Sequence, residues 1–311
     1  MKVTLDRKIA IVTGAASGIG LSTVLQFLES GAAGVVAVDV APEPADFAKH
    51  RAPGGRLQYV REDVSVEETA RAFTATAIQS FGRIDVLVNN AGISVVKPLH
   101  EHSPEEWDAV MNTNVKAAYW AARHVIPVMM KQRSGVVLNT GSISGQVGIP
   151  TQGAYGPSKG ALHQMTRQMA VEYAPHGIRV NAVGCGTVDT PIVHSSAAAS
   201  GDPEKFWAML RDNHPIGRIA SAQEVAYFLT YLASDLAWNI NGQIFHCQGG
   251  NVSVMNHPLA WKAIYKPGMW SLDELDEIVP RAVVNDTRNP APPNPDVDVP
   301  GRPKAEEAPS A

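Results

Sequence analysis

Ile9-Ala-Ile-Val-Thr-Gly-Ala-Ala-Ser-Gly-Ile-Gly20 is a short apolar run that breaks into glycines and passes at once into the amphipathic stretch Leu21 to Leu28. The order is strand, tight turn, helix. Glycines at such a turn let the backbone approach a ligand, and the helix amino end that follows presents unpaired N–H groups and a partial positive charge to an anion. Gly14, Ser17, Gly18, Ile19 and Gly20 are the candidate cradle for a pyrophosphate, in the spacing Gly-x-x-x-Gly-x-Gly. A glycine turn alone is a weak signal, because steric crowding demands glycine there in any case. The second strand strengthens it. Val36-Ala-Val-Asp-Val40 ends on Asp39, 19 residues beyond Gly20, where a carboxylate accepts hydrogen bonds from the ribose hydroxyls of a dinucleotide. That carboxylate repels a 2'-phosphate, and no Arg stands at 15–17 or 40 to attract one, so the expected cofactor is NAD rather than NADP.

Outward from this unit, short β-branched runs alternate with longer helical patterns to about residue 250. Ile9 to Thr13, Gly34 to Val40, Leu57 to Arg61, Val86 to Asn89, Gly135 to Thr140, Arg179 to Val183 and Ile244 to Cys247 read as strands, most of them apolar throughout. Continuous apolar strands suit a parallel sheet buried on both faces. Ser65-Val-Glu-Glu68, Ser103-Pro-Glu-Glu106 and Ser221-Ala-Gln-Glu224 each match the capping box that opens a helix. Strand and helix in regular succession give a single-domain α/β fold, a doubly wound Rossmann-type sheet of seven mainly parallel strands over residues 1–250. Residues 251–286 read as a C-terminal extension packing on the core or lid, with one short helix opened by Ser271 and Glu274. Residues 287–311 hold seven prolines in 25 residues and read as a disordered tail.

Composition narrows the function class. The chain has 311 residues, 18% charged and 45% hydrophobic, with net charge -4 and no basic block, so neither nucleic acid nor an anionic membrane is an expected partner. The amino terminus carries no apolar core of signal-peptide length and no 18-residue apolar run occurs, which reads as a cytoplasmic protein. Cys185 and Cys247 are too few for a disulfide framework, and no metal site is expected from their spacing or from His100, His102, His163 and His194.

Gly153-Ala-Tyr-Gly-Pro-Ser-Lys-Gly-Ala-Leu162 places Tyr155 and Lys159 four apart, one turn along one face of a helix. An ammonium beside a phenol is expected to lower the phenol pKa and make it an acid/base at neutral pH. Pro157 is tolerable only if that helix begins near Tyr155. Ser142, 13 residues before the tyrosine, supplies a third polar group.

Together Thr13-Gly14 through Gly20, Asp63-Val64, Asn89-Asn-Ala-Gly92, Asn114, Ser142 and Tyr155 through Lys159 resemble the principal subfamily of short-chain dehydrogenases/reductases over residues 7–250. The resemblance implies that Asp63 and Val64 hold the adenine and that Asn90, Ala91 and Gly92 form a turn beside the cofactor. Gly186, Val188 and Thr190 would approach the nicotinamide. It implies Tyr155 as acid/base, Ser142 as donor to the substrate oxygen, Lys159 on the nicotinamide ribose, and Asn114 holding a water that links Lys159 to solvent. Ser94, Ser144, Gln152 and Thr187 would flank the substrate under a lid of residues 188–218. The implied partners are a small alcohol or ketone (a hydroxylated ring, polyol, steroid or hydroxyacyl thioester) and further copies of the chain, as homodimer or homotetramer. Two departures stand out: Cys185 occupies the usual proline position after the sixth strand, and Cys247-Gln-Gly-Gly250 replaces the common Val-Asp-Gly-Gly. Weighed beside the NAD-linked reading are an NADP-linked 3-oxoacyl or keto reductase and a non-catalytic dinucleotide-sensing regulator.

Overall fold

The computed structural model describes residues 3–285 apart from 52–54, 213 and 215; the tail expected at 287–311 lies outside the described residues. Strands β1 (Ile9–Thr13), β2 (Gly34–Asp39), β3 (Leu57–Arg61), β4 (Val86–Asn89), β5 (Gly135–Ser142), β6 (Ile178–Cys185) and β9 (Ile244–Gln248) are all parallel neighbours in one sheet, joined at its edge by the antiparallel β10 (Asn251–Val254). The order β10-β9-β6-β5-β4-β1-β2-β3 makes eight strands among the described residues, one more than expected. The added strand is four residues of alternating polar and apolar type, and its backbone donors and acceptors complete the outer edge of β9. A second ribbon pairs β7 (Val188–Asp189) with β8 (Ala220–Ser221).

Helices cover both faces, as a sheet apolar on both sides requires. On one face α1 (Gly18–Glu29) and α8 (Ala222–Ala233) bury Phe27, Leu28, Leu229 and Leu232 against β1, β2 and β5. On the other, α2 (Glu67–Phe81), α4 (Ala117–Gln132) and α5 (Tyr155–Tyr173) bury Phe73, Val125, Met129 and Met169 against alternate residues of the same strands. Helix α3 (Pro104–Met111) runs into a π turn, Asn112–Lys116, before α4 begins. Two further helices, α6 (Pro191–Ala199) and α7 (Pro203–Asp212), occupy the expected lid. Chain order runs β1, β2, β3 outward and then returns across β1 to β4. Ligands bind beyond the carboxyl ends of the strands at such a reversal.

The boxes at Ser103 and Ser221 form as expected, each serine accepting from the Glu backbone and each Glu from the serine backbone. The one at Ser65 does not. There Asp63 Oδ1 accepts the Ser65 N–H at 2.9 Å, and α2 begins only at Glu67 with Val66 as its cap. A local aspartate turn has displaced the capping box. Residues 257–285 are a separate compact unit whose helix α9 (Leu272–Ala282) is opened by Ser271 and Glu274. Among the described residues no helix is long and apolar enough to cross a membrane.

Candidate active site

A cleft of about 460 Å³ opens at the reversal between β1 and β4. Gly14, Ser17, Gly18 and Ile19 line it from the first turn, Asp39 from the end of β2, Asp63 and Val64 from the end of β3, and Asn90, Ala91 and Gly92 from the end of β4. Gly186, Val188 and Thr190 close it beyond β6, beside Tyr155 and Lys159. Gly20 is outside the lining and acts one layer behind it: a Cβ there would stand 1.9 Å from the Gly14 carbonyl, so glycine sets how closely α1 approaches the turn. Gly14 has φ +64 and its Cβ would meet Ala91 Cα at 2.8 Å. Both contacts forbid a side chain.

The turn is held from three sides. Asp39 Oδ2 accepts the Ala16 N–H and its Oδ1 the Ala41 N–H, each at 2.9 Å. Thr13 Oγ1 accepts the N–H groups of Asn90 and Ala91, while Asn90 Nδ2 donates to the carbonyls of Thr13 and Gly14. Ser17 caps α1 without a side-chain hydrogen bond, so the first amides of that helix remain available to an anion in the cleft. These residues fit a dinucleotide: a cradle any Cβ would fill, a free helix terminus, and a carboxylate lining the cleft at the end of β2.

The reacting groups stand on β5 and α5. Strand β5 runs two residues further than expected, so Ser142 is its last residue, opposite Cys185 in register. Ser142 Oγ accepts the Ser144 N–H at 3.2 Å and donates to Ser144 Oγ at 3.1 Å. Tyr155 is the first residue of α5, which puts Pro157 in the first turn where its missing N–H costs nothing. Lys159, one turn on and 3% exposed, donates from Nζ to the Thr140 carbonyl at 2.8 Å. Its Nζ lies 5.5 Å from the Tyr155 ring centroid, over the ring face. Asn114 sits in the π turn, a distortion frequent at functional sites. It is buried, exchanges hydrogen bonds with both the N–H and the carbonyl of Ile93, and donates to Ser158 Oγ, which donates in turn to the Tyr155 carbonyl.

The expected lowering of the Tyr155 pKa is absent in the free protein. Burial pushes the phenol up to about 12, a hydrogen bond with Ser142 offsetting part of the rise. Burial also pushes Lys159 down to about 8. The ammonium lies over the ring rather than beside the phenol oxygen, and desolvation outweighs it. Cys185, buried in the cleft wall, is pushed up to about 12 and is an inert thiol.

Among the expected substrate residues, Ser144 and Gln152 line a second, open cavity of about 430 Å³ next to Tyr155, with Leu99, Val147 and Ile149. Ser94, Ser142 and Thr187 lie outside both linings. Two groups with no mark in the sequence prove structural to the site: the Thr140 carbonyl that holds Lys159, and Ser158, which links Asn114 to the helix start. No cluster of three metal-ligating side chains exists among the described residues. His163 is buried with neither ring nitrogen hydrogen-bonded and burial pushes it down to about 4, so it is a neutral packing histidine. His102 Nε2 accepts the Ala154 N–H, and His194 pairs with Asp189 on the lid.

Comparison with known proteins defines the class. Residues 14–251 match the family described as enoyl-(acyl carrier protein) reductase, and the chain belongs to the short-chain dehydrogenases/reductases. It is 38% identical over 250 residues to a 3-oxoacyl-[acyl-carrier-protein] reductase of Thermotoga maritima, covering 80% of this chain and 99% of that one. It is 40% identical over 249 residues to a cis-4-hydroxycyclohexanecarboxylate dehydrogenase of Sinomonas cyclohexanicum, covering 79% and 97%. Among solved structures, levodione reductase superposes with a TM-score of 0.74 at 31% identity, covering 79% of this chain and 98% of that one. The L-sorbose reductase of Gluconobacter frateurii, complexed with NADPH and L-sorbose, gives 0.72 at 30% identity, covering 80% and 98%. The chain is therefore a nicotinamide-dinucleotide oxidoreductase of the alcohol/ketone class.

Proposed function

We propose that the protein is an NAD-dependent oxidoreductase of secondary alcohols and ketones, with a hydroxylated ring as substrate, acting in the cytoplasm as a homodimer or homotetramer. The observation that carries the cofactor reading is Asp39. It lines the cleft with its carboxylate fixed by two backbone amides, and Glu62 and Asp63 add further negative charge to the same wall. Lys159 is the only cation among the lining residues, at the opposite end. Arg61, paired in register with Asp39, donates its Nε to the Val40 carbonyl and is outside the lining. A 2'-phosphate would meet carboxylates here.

The ring substrate rests on the wall beside Tyr155. Leu99, Val147 and Ile149 offer apolar surface, Ser144 and Gln152 a few polar groups, and no charged side chain lines that cavity. The likeness to the hydroxycyclohexanecarboxylate dehydrogenase agrees. A dinucleotide held by the glycine turn and Asp39 would supply or accept the hydride. Tyr155 supplies or takes the proton at the substrate oxygen, and Ser142 donates a hydrogen bond to that oxygen and steadies its developing charge. With its pKa pushed up to about 12, the phenol of the free protein holds the proton that ketone reduction needs. Alcohol oxidation needs the phenolate, which requires added positive charge beside Tyr155. Asn114 fixes the start of α5 through Ser158.

A second reading has its own observations: the likeness to a 3-oxoacyl-[acyl-carrier-protein] reductase and to the L-sorbose reductase complexed with NADPH favours an NADP-linked keto reductase. A non-catalytic sensor is disfavoured because Tyr155 is hydrogen-bonded with Ser142, lies beneath Lys159, and has the start of its helix tied to Asn114 through Ser158. One experiment separates the readings: turnover of cyclic secondary alcohols and of 3-oxoacyl thioesters by the native protein, Tyr155→Phe and Asp39→Ala, each with NAD and NADP. We expect NAD-linked turnover of the ring alcohols, its loss by about 10²-fold or more in Tyr155→Phe with dinucleotide binding retained, and a higher NADP-to-NAD ratio in Asp39→Ala. Turnover surviving in Tyr155→Phe removes the mechanism; an unchanged ratio in Asp39→Ala removes the cofactor assignment.

A further inference from the structure

His214 lies in the lid just beyond α7 and is 6% exposed. It makes two hydrogen bonds of opposite sense. Nδ1 reaches the Leu210 carbonyl, which only accepts, so Nδ1 carries the hydrogen. Nε2 then keeps its lone pair and accepts the Thr187 N–H at 3.2 Å. The two partners together select the neutral imidazole protonated on Nδ1.

Thr187 is the other half of the argument. Its neighbours Gly186 and Val188 both line the dinucleotide cleft. Its carbonyl accepts the Ala220 N–H at 3.0 Å, so both of its backbone groups are tied to the chain as it returns from the lid. The lid also enters the cleft directly, since Thr190, Pro191, Ile192 and Val193 line it at the start of α6. A shift of α7 that carries Leu210 carries His214, and through His214 it moves the amide between two lining residues. We propose that His214 is a positioning residue, a latch that joins the end of lid helix α7 to the cleft wall at Thr187, so that lid placement and the seat of the nicotinamide end are set together. That the wall seats the nicotinamide rests on the cofactor reading above; the latch itself rests on the two hydrogen bonds.

The geometry of the ring provides the test. Nδ1 occupies about the place of an asparagine amide nitrogen, and Nε2 about that of a glutamine side-chain oxygen. His214→Gln can keep the acceptor for Thr187, whereas His214→Asn keeps only the donor to Leu210. Backbone hydrogen exchange over residues 186–189 is measured in the full-length protein and both variants without cofactor. Affinity for NADH and the separate kcat and KM values are measured on the same samples. One neutral hydrogen bond is worth roughly fivefold. The expected result for Asn is faster exchange at Thr187 and NADH binding weakened by about that factor, with Gln close to the native protein in both. Equal behaviour of the two variants, or Asn indistinguishable from native, overturns the latch. A variant that fails to fold shows as exchange raised throughout the chain, and the other variant then decides by its Thr187 exchange: slow for Gln or fast for Asn supports the latch, the reverse overturns it. Failure of the native protein to bind NADH removes the cofactor reading alone, because the exchange at Thr187 still answers for the latch.

Discussion

Lys159 stores the energetic tension of this site. A buried ammonium with one hydrogen bond to a carbonyl and no carboxylate partner is pushed from its ordinary 10.5 down to about 8. At about 1.4 kcal/mol per pKa unit this amounts to roughly 3 kcal/mol against holding the charged lysine at neutral pH. The sign follows from proton counting: between about 8 and 10.5 the unfolded chain binds more protons than the folded one, so native stability rises with pH across that window and its deficit is full below it. Lys159→Met removes the charge, keeps the length and leaves the Thr140 carbonyl without its donor, which returns about 1 kcal/mol of the gain. The free variant is expected to be more stable than the native protein at pH 7 by about 1 to 2 kcal/mol while losing turnover. Denaturant melts at pH 7 and pH 10 check it: the gap should narrow at the higher pH, and a destabilised variant at pH 7 would show that the lysine carries no burial cost. The places of Gly14, Asp39 and Tyr155 in the fold were readable because each belongs to a motif tied to a strand end or a helix start. What could not be read was the Tyr155 environment: a Tyr-x-x-x-Lys spacing places two side chains on one face, but whether the ammonium meets the phenol oxygen or the ring depends on Thr140, a partner from another element.

At the scale of elements, local hydrogen-bond competition separates the readings that held from the one that did not. Ser221 and Ser65 open the same four-residue pattern, yet of the two only Ser221 forms the box; Ser65 donates its N–H to Asp63, and Thr69 Oγ1 donates to the Asp63 carbonyl at 2.6 Å. A pattern of four residues contains no information about an aspartate two positions upstream that competes for the same amide. Ser221→Ala is expected to cost about 1 kcal/mol, a typical cap loss, and Ser65→Ala to stay within about 0.5 kcal/mol of native. Urea melts of the two variants side by side test the distinction; equal losses would mean that the Ser65 hydroxyl caps α2 after all. The seven parallel strands were legible because the sheet is covered on both faces and most of the runs are apolar throughout. Strand β10 was not, since Asn251-Val-Ser-Val254 is half polar, short, and held by pairing with β9 rather than by burial.

For the whole molecule, the unit that folds extends past the point where composition changes. The break after Gly250 suggests a core ending there, but Val252 and Val254 pair with Cys247 and Phe245, and the first compact unit runs to Asn256. Relatives that align over 97% to 99% of their own length cover only 79% to 80% of this chain, and the family match ends at residue 251, inside the first compact unit. The two possible cuts should therefore differ. A chain ending at Asn256 keeps β10 and is expected to melt cooperatively and bind dinucleotide. A chain ending at Gly250 loses the ladder that satisfies the outer edge of β9, and the exposed edge is left to pair with other molecules. A few net hydrogen bonds at about 1 kcal/mol each put its loss at roughly 2 to 3 kcal/mol, enough to lower its melting temperature by several degrees at this size. Calorimetry and NADH titration of both truncations check this. Identical melting of the two would show that β10 adds nothing to the core, and failure of the longer one to fold would assign residues 257–285 a part in core stability.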